Sequence, residues 1–192
     1  LRIHANICGS SYTYQQPLNN IIRGTYHTLA AALGGVQSMA VASFDEAYCT
    51  PSLEAHTLAI RTQQILQYES NITSTIDPFA GSYYIEWLTN EIEKRSWEYL
   101  DEVENHGGFI ASLESGWLHR EIVKAMIERE RSITSGETKT VGVNCFQMPE
   151  GSSTRPKAFR PNPNTWELSM ERLRKLRKER DNAKVAEALH DL

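Results

Sequence analysis

The sequence predicts an α/β protein whose parallel sheet is incomplete at its N-terminal side and whose later part is helical. Three observations carry this reading. Over the first third, short apolar runs of strand character alternate with segments of helical period, the order that builds a parallel sheet. Only two such runs occur, and two strands alone neither close a barrel nor make a stable open sheet. From Ile85 to about Ser132 the apolar spacing is helical.

Taken in order, residues 1–7 (LRIHANI) predict a strand that enters a loop at Cys8-Gly9-Ser10-Ser11. Pro17 stands where a first helical turn begins. Ile21, Ile22, Leu29 and Leu33 then recur at helical spacing as far as Gly34-Gly35. Residues 36–42 form a second short apolar run, a second strand. Thr50-Pro51 reads as a cap followed by proline at the first helical position, opening a helix to about Tyr68 with Leu58, Ile65 and Leu66 inward. Asp77-Pro78-Phe79-Ala80-Gly81-Ser82 is turn chemistry. Ile85, Leu88, Ile92, Leu100 and Val103 mark a long amphipathic helix ended by Asn105-His106-Gly107-Gly108. A short helix to Glu114 and another over 118–132 follow, then a brief extended segment at 141–143. Four of the seven prolines fall within 148–163, which reads as a linker, and 166–189 reads as one charged helix.

Composition excludes several classes. The formal net charge of the 192 residues is −4, so no overall basic field exists to hold nucleic acid or anionic lipid. The longest apolar stretches, such as 29–33, fall well short of the roughly 20 residues that cross a bilayer. Three cysteines, Cys8, Cys49 and Cys145, are scattered singly, a pattern of neither a disulfide scaffold nor a zinc site. Reduced thiols in a cytoplasmic protein are the expectation. The last helix carries Arg172, Arg174, Lys175, Arg177, Lys178 and Arg180, interleaved with Glu167, Glu171, Glu179 and Asp181. That mixture fits a solvated or partner-facing connector better than a nucleic-acid helix. The chain opens on Leu with no signal-peptide pattern, so the expectation is a chain that begins inside a longer protein or was trimmed.

The residues that could carry chemistry lie on the two strands and just after them. Side chains alternate along a strand, so Arg2, His4 and Asn6 share one face and Ile3, Ala5 and Ile7 the other. The second strand carries Gln37 and Ser38, then Ala40 and Ala42. Interiors of parallel barrels are ordinarily filled by bulky branched side chains. Polar and small residues here suggest a lumen lined for a ligand. Active sites form in the loops after the strands' C-terminal ends, here 9–14 and 43–48, the second containing Asp45-Glu46. Each feature also has a plain structural reading. A strand histidine satisfies a neighbour, Gln37-Ser38 can serve buried backbone, and Asp45-Glu46 can offset a helix dipole. No HExxH, GxSxG, P-loop or GxGxxG arrangement occurs. The residues by themselves lead to part of an αβ barrel with a ligand-lined interior.

Three segments taken together resemble one family. They are LRIHANICG (1–9), AAALGGVQS…FDEA (30–47) and TQQILQYES…DPFAGSYYIEWLT (62–89), with VGVNCF (141–146) closing the match. Their order and spacing are similar to the methylmalonyl-CoA mutase group of adenosylcobalamin-dependent acyl-CoA mutases. In that family a (β/α)8 TIM barrel encloses the pantetheine arm of a coenzyme A ester, and a flavodoxin-like domain brings cobalamin to the barrel's C-terminal mouth. The resemblance implies that 1–146 are the C-terminal portion of the barrel domain, with its last two strands and a helical extension. It makes 147–163 a Pro-rich linker and 164–192 a connector helix. It implies an isomerase, the chain being an incomplete part of it, that rearranges the carbon skeleton of an acyl-CoA by radical chemistry.

By the same resemblance His4, Asn6, Gln37 and Ser38 match positions that bind the coenzyme A ester. Gly9, Glu46 and Ala47 match positions facing adenosylcobalamin. No DxHxxG segment for cobalamin's lower ligand occurs, so a cobalamin-binding domain or subunit is an expected partner, in a mutase dimer or heterotetramer. The sequence departs from the family pattern at Asn6, which stands for Gln, and along QSMAVA (37–42), which stands for QSLHTN and puts Ala40 for His and Ala42 for Asn. These losses motivate an alternative, a non-catalytic mutase-derived assembly chain that binds a partner subunit through its basic helix.

Overall fold

The computed structural model describes residues 2–149, 151–152 and 155–191. Leu1 of the expected first strand, Glu150, Ser153 and Thr154 of the expected linker, and Leu192 lie outside the described residues. The described residues form an α/β structure with a two-stranded parallel sheet and seven α-helices. Contacts divide it into two compact units, Leu1–Ala158 and Phe159–Leu192.

In the first unit, β1 (His4–Ile7) leads through a 3₁₀ turn at Gly9–Ser11 to α1 (Asn19–Leu33), then β2 (Ser38–Val41) and α2 (Leu53–Glu69). This is the strand–helix–strand–helix order expected, with both strands shorter than the apolar runs. The pairing is parallel and in register: His4 with Ser38, Ala5 with Met39, Asn6 with Ala40, Ile7 with Val41. Ladder bonds continue beyond the strands, from Gln37 N to Ile3 O (3.1 Å) and from Ala42 N to Ile7 O (3.0 Å). Alternation puts His4, Asn6, Ser38 and Ala40 on one face. There His4 and Asn6 are exposed, while Ile7 on the opposite face is buried.

The helices cover that second face with small and polar residues, contrary to expectation. The buried stripe of α1 is Asn20, Gly24 and Thr28, spaced by four, while Ile22 is exposed. On α2 the buried residues are Ala55 and Ala59, and Leu58 and Ile65 are exposed. Small side chains let the two helices approach each other and the strands closely, and the larger apolar residues stay on the flanks. The start of α2 also differs. Its cap is Ser52, whose Oγ accepts from Ala55 N, and not Thr50-Pro51. Asp45 Oδ2 accepts from Ser52 N at 2.9 Å, which holds Ser52 extended and delays the helix past the proline.

After a 3₁₀ turn at Ile72–Ser74 come α3 (Tyr83–Asn105), α4 (Gly108–Glu114) and α5 (Trp117–Thr134), close to the predicted bounds. The α3–α4 turn uses Gly107 and Gly108 at φ 90° and 86°, a region open to glycine. The expected extended segment at 141–143 is a single bridge, Val141 with Cys145, closed by a tight turn. Asn144 fixes that turn by accepting from Thr140 N and donating to the carbonyls of Ile133 and Thr138, each at 2.7 Å.

The second unit holds α6 (Thr165–Glu179) and α7 (Asn182–His190) where one helix was expected. The break has a local cause. Arg180 is extended, and Asp181 Oδ1 accepts from Ala183 N (3.0 Å) and Lys184 N (3.2 Å). An aspartate that can cap competes with helix continuation.

Candidate functional site

Three consecutive levels lead along the open sheet face to the C-terminal ends of the strands. The first is His4 beside Ser38, whose Nδ1 and Oγ are 2.7 Å apart. Register makes them direct neighbours, so the pair follows from the sheet itself. The second level is Asn6 opposite Ala40. The third lies beyond the strands, where Gly9 in the loop 8–18 meets Glu46 in the loop 42–52. A β-carbon built on Gly9 would come within 2.8 Å of Glu46 Cγ and 3.0 Å of its Oε1. Gly9 therefore makes the room in which Glu46 lies. Ala47 follows Glu46 and is exposed. Among the described residues the Glu46 carboxylate accepts no hydrogen bond, so its oxygens remain open to an outside donor.

Gln37 is not part of this face. Adjacent strand residues point to opposite sides, and Gln37 turns to the backbone at the other end of the sheet. Its Oε1 accepts from Ile3 N at 2.7 Å and its Nε2 donates to Gly35 O at 2.9 Å. The candidates thus divide into His4, Ser38 and Asn6 on the face, Gly9, Glu46 and Ala47 at the strands' C-terminal ends, and Gln37 pinning their entry.

Four residues outside the expected site set fix the two loops. Asn20 is fully buried. Its Oδ1 accepts from Thr13 N, and its Nδ2 donates to Thr13 O and Phe44 O, all at 3.0 Å. One amide thereby stitches the loop after β1 to the loop after β2. Arg23, a turn later, donates to Asn20 Oδ1 (2.7 Å), Thr13 Oγ1 (2.9 Å) and Val141 O (2.8 Å). Partial burial pulls its pKa down from the ordinary value. Tyr12, also buried, donates from Oη to Ala42 O at 3.0 Å. Asp45 is fully buried; its Oδ2 accepts from Ser52 N, and its Oδ1 has no partner among the described residues. The signal that could have revealed α1's part in this is the polar and small stripe Asn20-Gly24-Thr28 at a spacing of four, on the side a helix turns to its sheet.

At the C-terminal ends of the strands the Glu46 charge acts on two neighbours, Cys8 and Tyr12. The Cys8 thiol is held below its ordinary pKa mainly by a hydrogen bond from Ser10, whose Oγ is 3.1 Å from Sγ; slight desolvation and the Glu46 charge oppose this. Burial first, then Glu46, pushes the Tyr12 phenol up to about 12. Imidazole, hydroxyl and amide groups on the face suit hydrogen bonding to a polar acyl compound, and the carboxylate suits hydroxyl or amide donors. Among the described residues no cluster of His, Cys, Asp or Glu could hold a metal ion, and no helix is long and apolar enough to cross a membrane.

A family profile described as methylmalonyl-CoA mutase matches residues 1–192. The chain belongs to the methylmalonyl-CoA mutase family. It is 39% identical over 193 residues to the 2-hydroxyisobutanoyl-CoA mutase large subunit of Aquincola tertiaricarbonis, covering 100% of this chain and 34% of that protein. It is 37% identical to the methylmalonyl-CoA mutase of Escherichia coli (strain K12) and 36% identical to that of Rhizobium meliloti (strain 1021). Each match covers 100% of this chain and 27% of the relative. The chain therefore spans between a quarter and about a third of the length of these mutase-family relatives. The name large subunit, carried by the Aquincola protein, implies a partner subunit for that relative. The expected family assignment is borne out over the whole chain, and the relatives named are mutases, which are isomerases.

Proposed function

We propose that this chain is the closing portion of the (β/α)8 barrel, with its helical extension and connector, of an adenosylcobalamin-dependent acyl-CoA mutase. The observation that carries the reading is the polar sheet face: His4 hydrogen-bonded to Ser38, Asn6 beside them, and Glu46 over Gly9 at the strands' C-terminal ends. A face turned to solvent on an ordinary two-layer domain needs no such series. A barrel lumen that holds a thioester does.

In this reading His4, Ser38 and Asn6 hold the coenzyme A ester. With Ser38 Oγ–H donating to His4 Nδ1, the His4 Nε2–H is left to donate to the thioester carbonyl, and the Asn6 amide supplies a second donor on the same face. Gln37 contributes from behind, by fixing the strand ends that present His4 and Ser38. Gly9, Glu46 and Ala47 fit the cofactor's side of the site, because they leave an unpaired carboxylate and a close backbone approach at the barrel mouth. Bound adenosylcobalamin supplies a reversibly released carbon radical, chemistry that acid–base side chains do not provide. The work of this chain is then to bind, orient and shield: amide, hydroxyl and imidazole groups fix the substrate without a strong base that would divert it. The product is an isomer in which the thioester-bearing carbon has moved to the neighbouring carbon.

A cobalamin-binding domain or separate subunit completes the site, in a dimer or heterotetramer working in the cytoplasm. The test is the complete reading frame, assembled with adenosylcobalamin and offered branched and dicarboxylic acyl-CoA esters. Isomerisation of one of them, with His4→Ala slower by about 100-fold or more, is the expected result. Failure of the assembled wild-type protein to isomerise any such ester sinks the reading. It would favour the second reading, a non-catalytic assembly chain, for which Ala40 on β2 and Ala42 just after it speak.

A further inference from the structure

Tyr12 closes the turn that carries Gly9: its own amide donates to Gly9 O at 2.9 Å. Its side chain then crosses to the other strand, where Oη donates to Ala42 O at 3.0 Å. Ala42 is the last residue paired to β1 before the Glu46 loop, and Glu46 N in turn bonds Ser43 O at 3.0 Å. One buried side chain thus spans from the Gly9 turn to the base of the Glu46 loop. It has a seat made for it. A β-carbon on Gly24 of α1 would fall inside van der Waals contact of the Tyr12 hydroxyl, and within 3.3 Å of Val41 Cγ1.

From this geometry we propose that Tyr12, seated on Gly24, is a positioning residue that holds Glu46 over Gly9 at the mouth of the site. The proposal rests on the mutase reading for what the mouth does, though not for how the mouth is held. Tyr12 contacts neither the polar sheet face nor any group at which the substrate reacts; it acts through the Ala42 carbonyl and the turn at Gly9. Its phenol, pushed up to about 12 by burial and by the Glu46 charge, stays protonated and donating throughout the physiological range. Gly24 is in the middle of α1, where alanine favours the helix over glycine. A loss caused by Gly24→Ala is therefore not the loss of a weakened helix.

The experiment uses Tyr12→Phe, Gly24→Ala and the double variant in the assembled mutase. It has two readouts, steady-state kinetics and the neutral-pH alkylation rate of Cys8 by iodoacetamide, resolved by peptide mass spectrometry. Cys8 adjoins Gly9, and its thiol is held low by Ser10 within the same turn, so a loosened turn slows its alkylation. Each single variant is expected to lower kcat about tenfold with KM for the acyl-CoA within about twofold of wild type, and to slow Cys8 alkylation about threefold. The double variant should be no worse than Tyr12→Phe, because removing the hydroxyl clears the space the new methyl needs. Unchanged kcat and Cys8 rate in Tyr12→Phe overturn the proposal, as does a double variant whose losses multiply. If the wild-type assembly isomerises no ester, the mutase reading falls, and the Cys8 rates alone decide whether Tyr12 is the strut.

Discussion

Glu46 lies over Gly9 so closely that a β-carbon on Gly9 would stand 2.8 Å from Glu46 Cγ and 3.0 Å from its Oε1. The φ of Gly9 is not positive, so the glycine is required by its neighbour and not by its own backbone. Glu46 is exposed and can swing away. Gly9→Ala should therefore cost little stability, within about 1 kcal/mol, while displacing the carboxylate. In the mutase proposed above, turnover is expected to fall about as far in Gly9→Ala as in Glu46→Ala. The double variant should lie near the single ones, since the two changes remove one arrangement. Thermal unfolding and kcat measured on the three variants check this. Additive losses would separate the two residues.

Asn20 is the other joint between the loops. Truncating it leaves the Thr13 amide and the Thr13 and Phe44 carbonyls without their partners and frees Arg23 from its 2.7 Å contact. Buried groups left unpaired cost about 1–3 kcal/mol each, and the loops here can admit water to recover part of it. Asn20→Ala is expected to loosen both loops together. Backbone amide hydrogen exchange should rise by about 100-fold in peptides spanning 8–18 and 42–52, and stay near wild type in peptides from α3 and α5. Faster exchange in only one loop would show that the stitch at Phe44 is not shared.

Much of this was legible in the sequence, because regular period and breakers carry it. The order β1–α1–β2–α2, the stop of α3 at Gly107-Gly108 and the polar face of His4 and Asn6 all follow from alternation, helical spacing and glycine. What escaped is instructive. The two helices were expected to turn large apolar residues inward, yet they turn Asn20, Gly24, Thr28, Ala55 and Ala59. Hydrophobic period cannot report close packing, where smallness and hydrogen-bonding reach replace apolar area. Gln37 and Ser38 are adjacent in sequence, yet strand geometry points them to opposite sides, and the Gln37 amide goes to Ile3 and Gly35. The Ser52 cap and the break before α7 depend on two aspartates, Asp45 and Asp181, whose side chains reach backbone amides. Asp181 reaches across two and three residues, Asp45 across seven. A period analysis does not see such contacts.

Cys8 reports the charge at the mouth. Its thiol is lowered chiefly by Ser10 and raised by the Glu46 carboxylate. Removing the first should move its titration up, and removing the second should move it down. The midpoint of iodoacetamide alkylation against pH is expected to rise in Ser10→Ala and to fall slightly in Glu46→Gln, with more thiolate at neutral pH in the second variant and less in the first. Peptide mapping distinguishes Cys8, which is exposed, from the half-buried Cys49 and Cys145. A midpoint that falls in Ser10→Ala would contradict the hydrogen bond as its cause.

Asn6 and Ala40 are register partners on the polar face, and both are positions at which the sequence departs from the family pattern. Their adjacency turns two shortened side chains into one gap, between the His4–Ser38 pair and Glu46. Filling that gap from one side only, by Asn6→Gln or Ala40→His, should crowd a substrate less than filling it from both. If the gap receives part of the acyl group, the double variant should raise KM for the native acyl-CoA by about tenfold or more. Each single variant should raise it only a fewfold, and a shorter acyl chain should be discriminated against less. In the proposed mutase the coenzyme A moiety would contact the same face in every variant, so free coenzyme A should inhibit all of them about equally. Competition kinetics with two acyl lengths and with free coenzyme A make the distinction. If both esters and coenzyme A weaken in parallel, the pair shapes the pantetheine channel; if only the longer ester weakens, it shapes the acyl pocket.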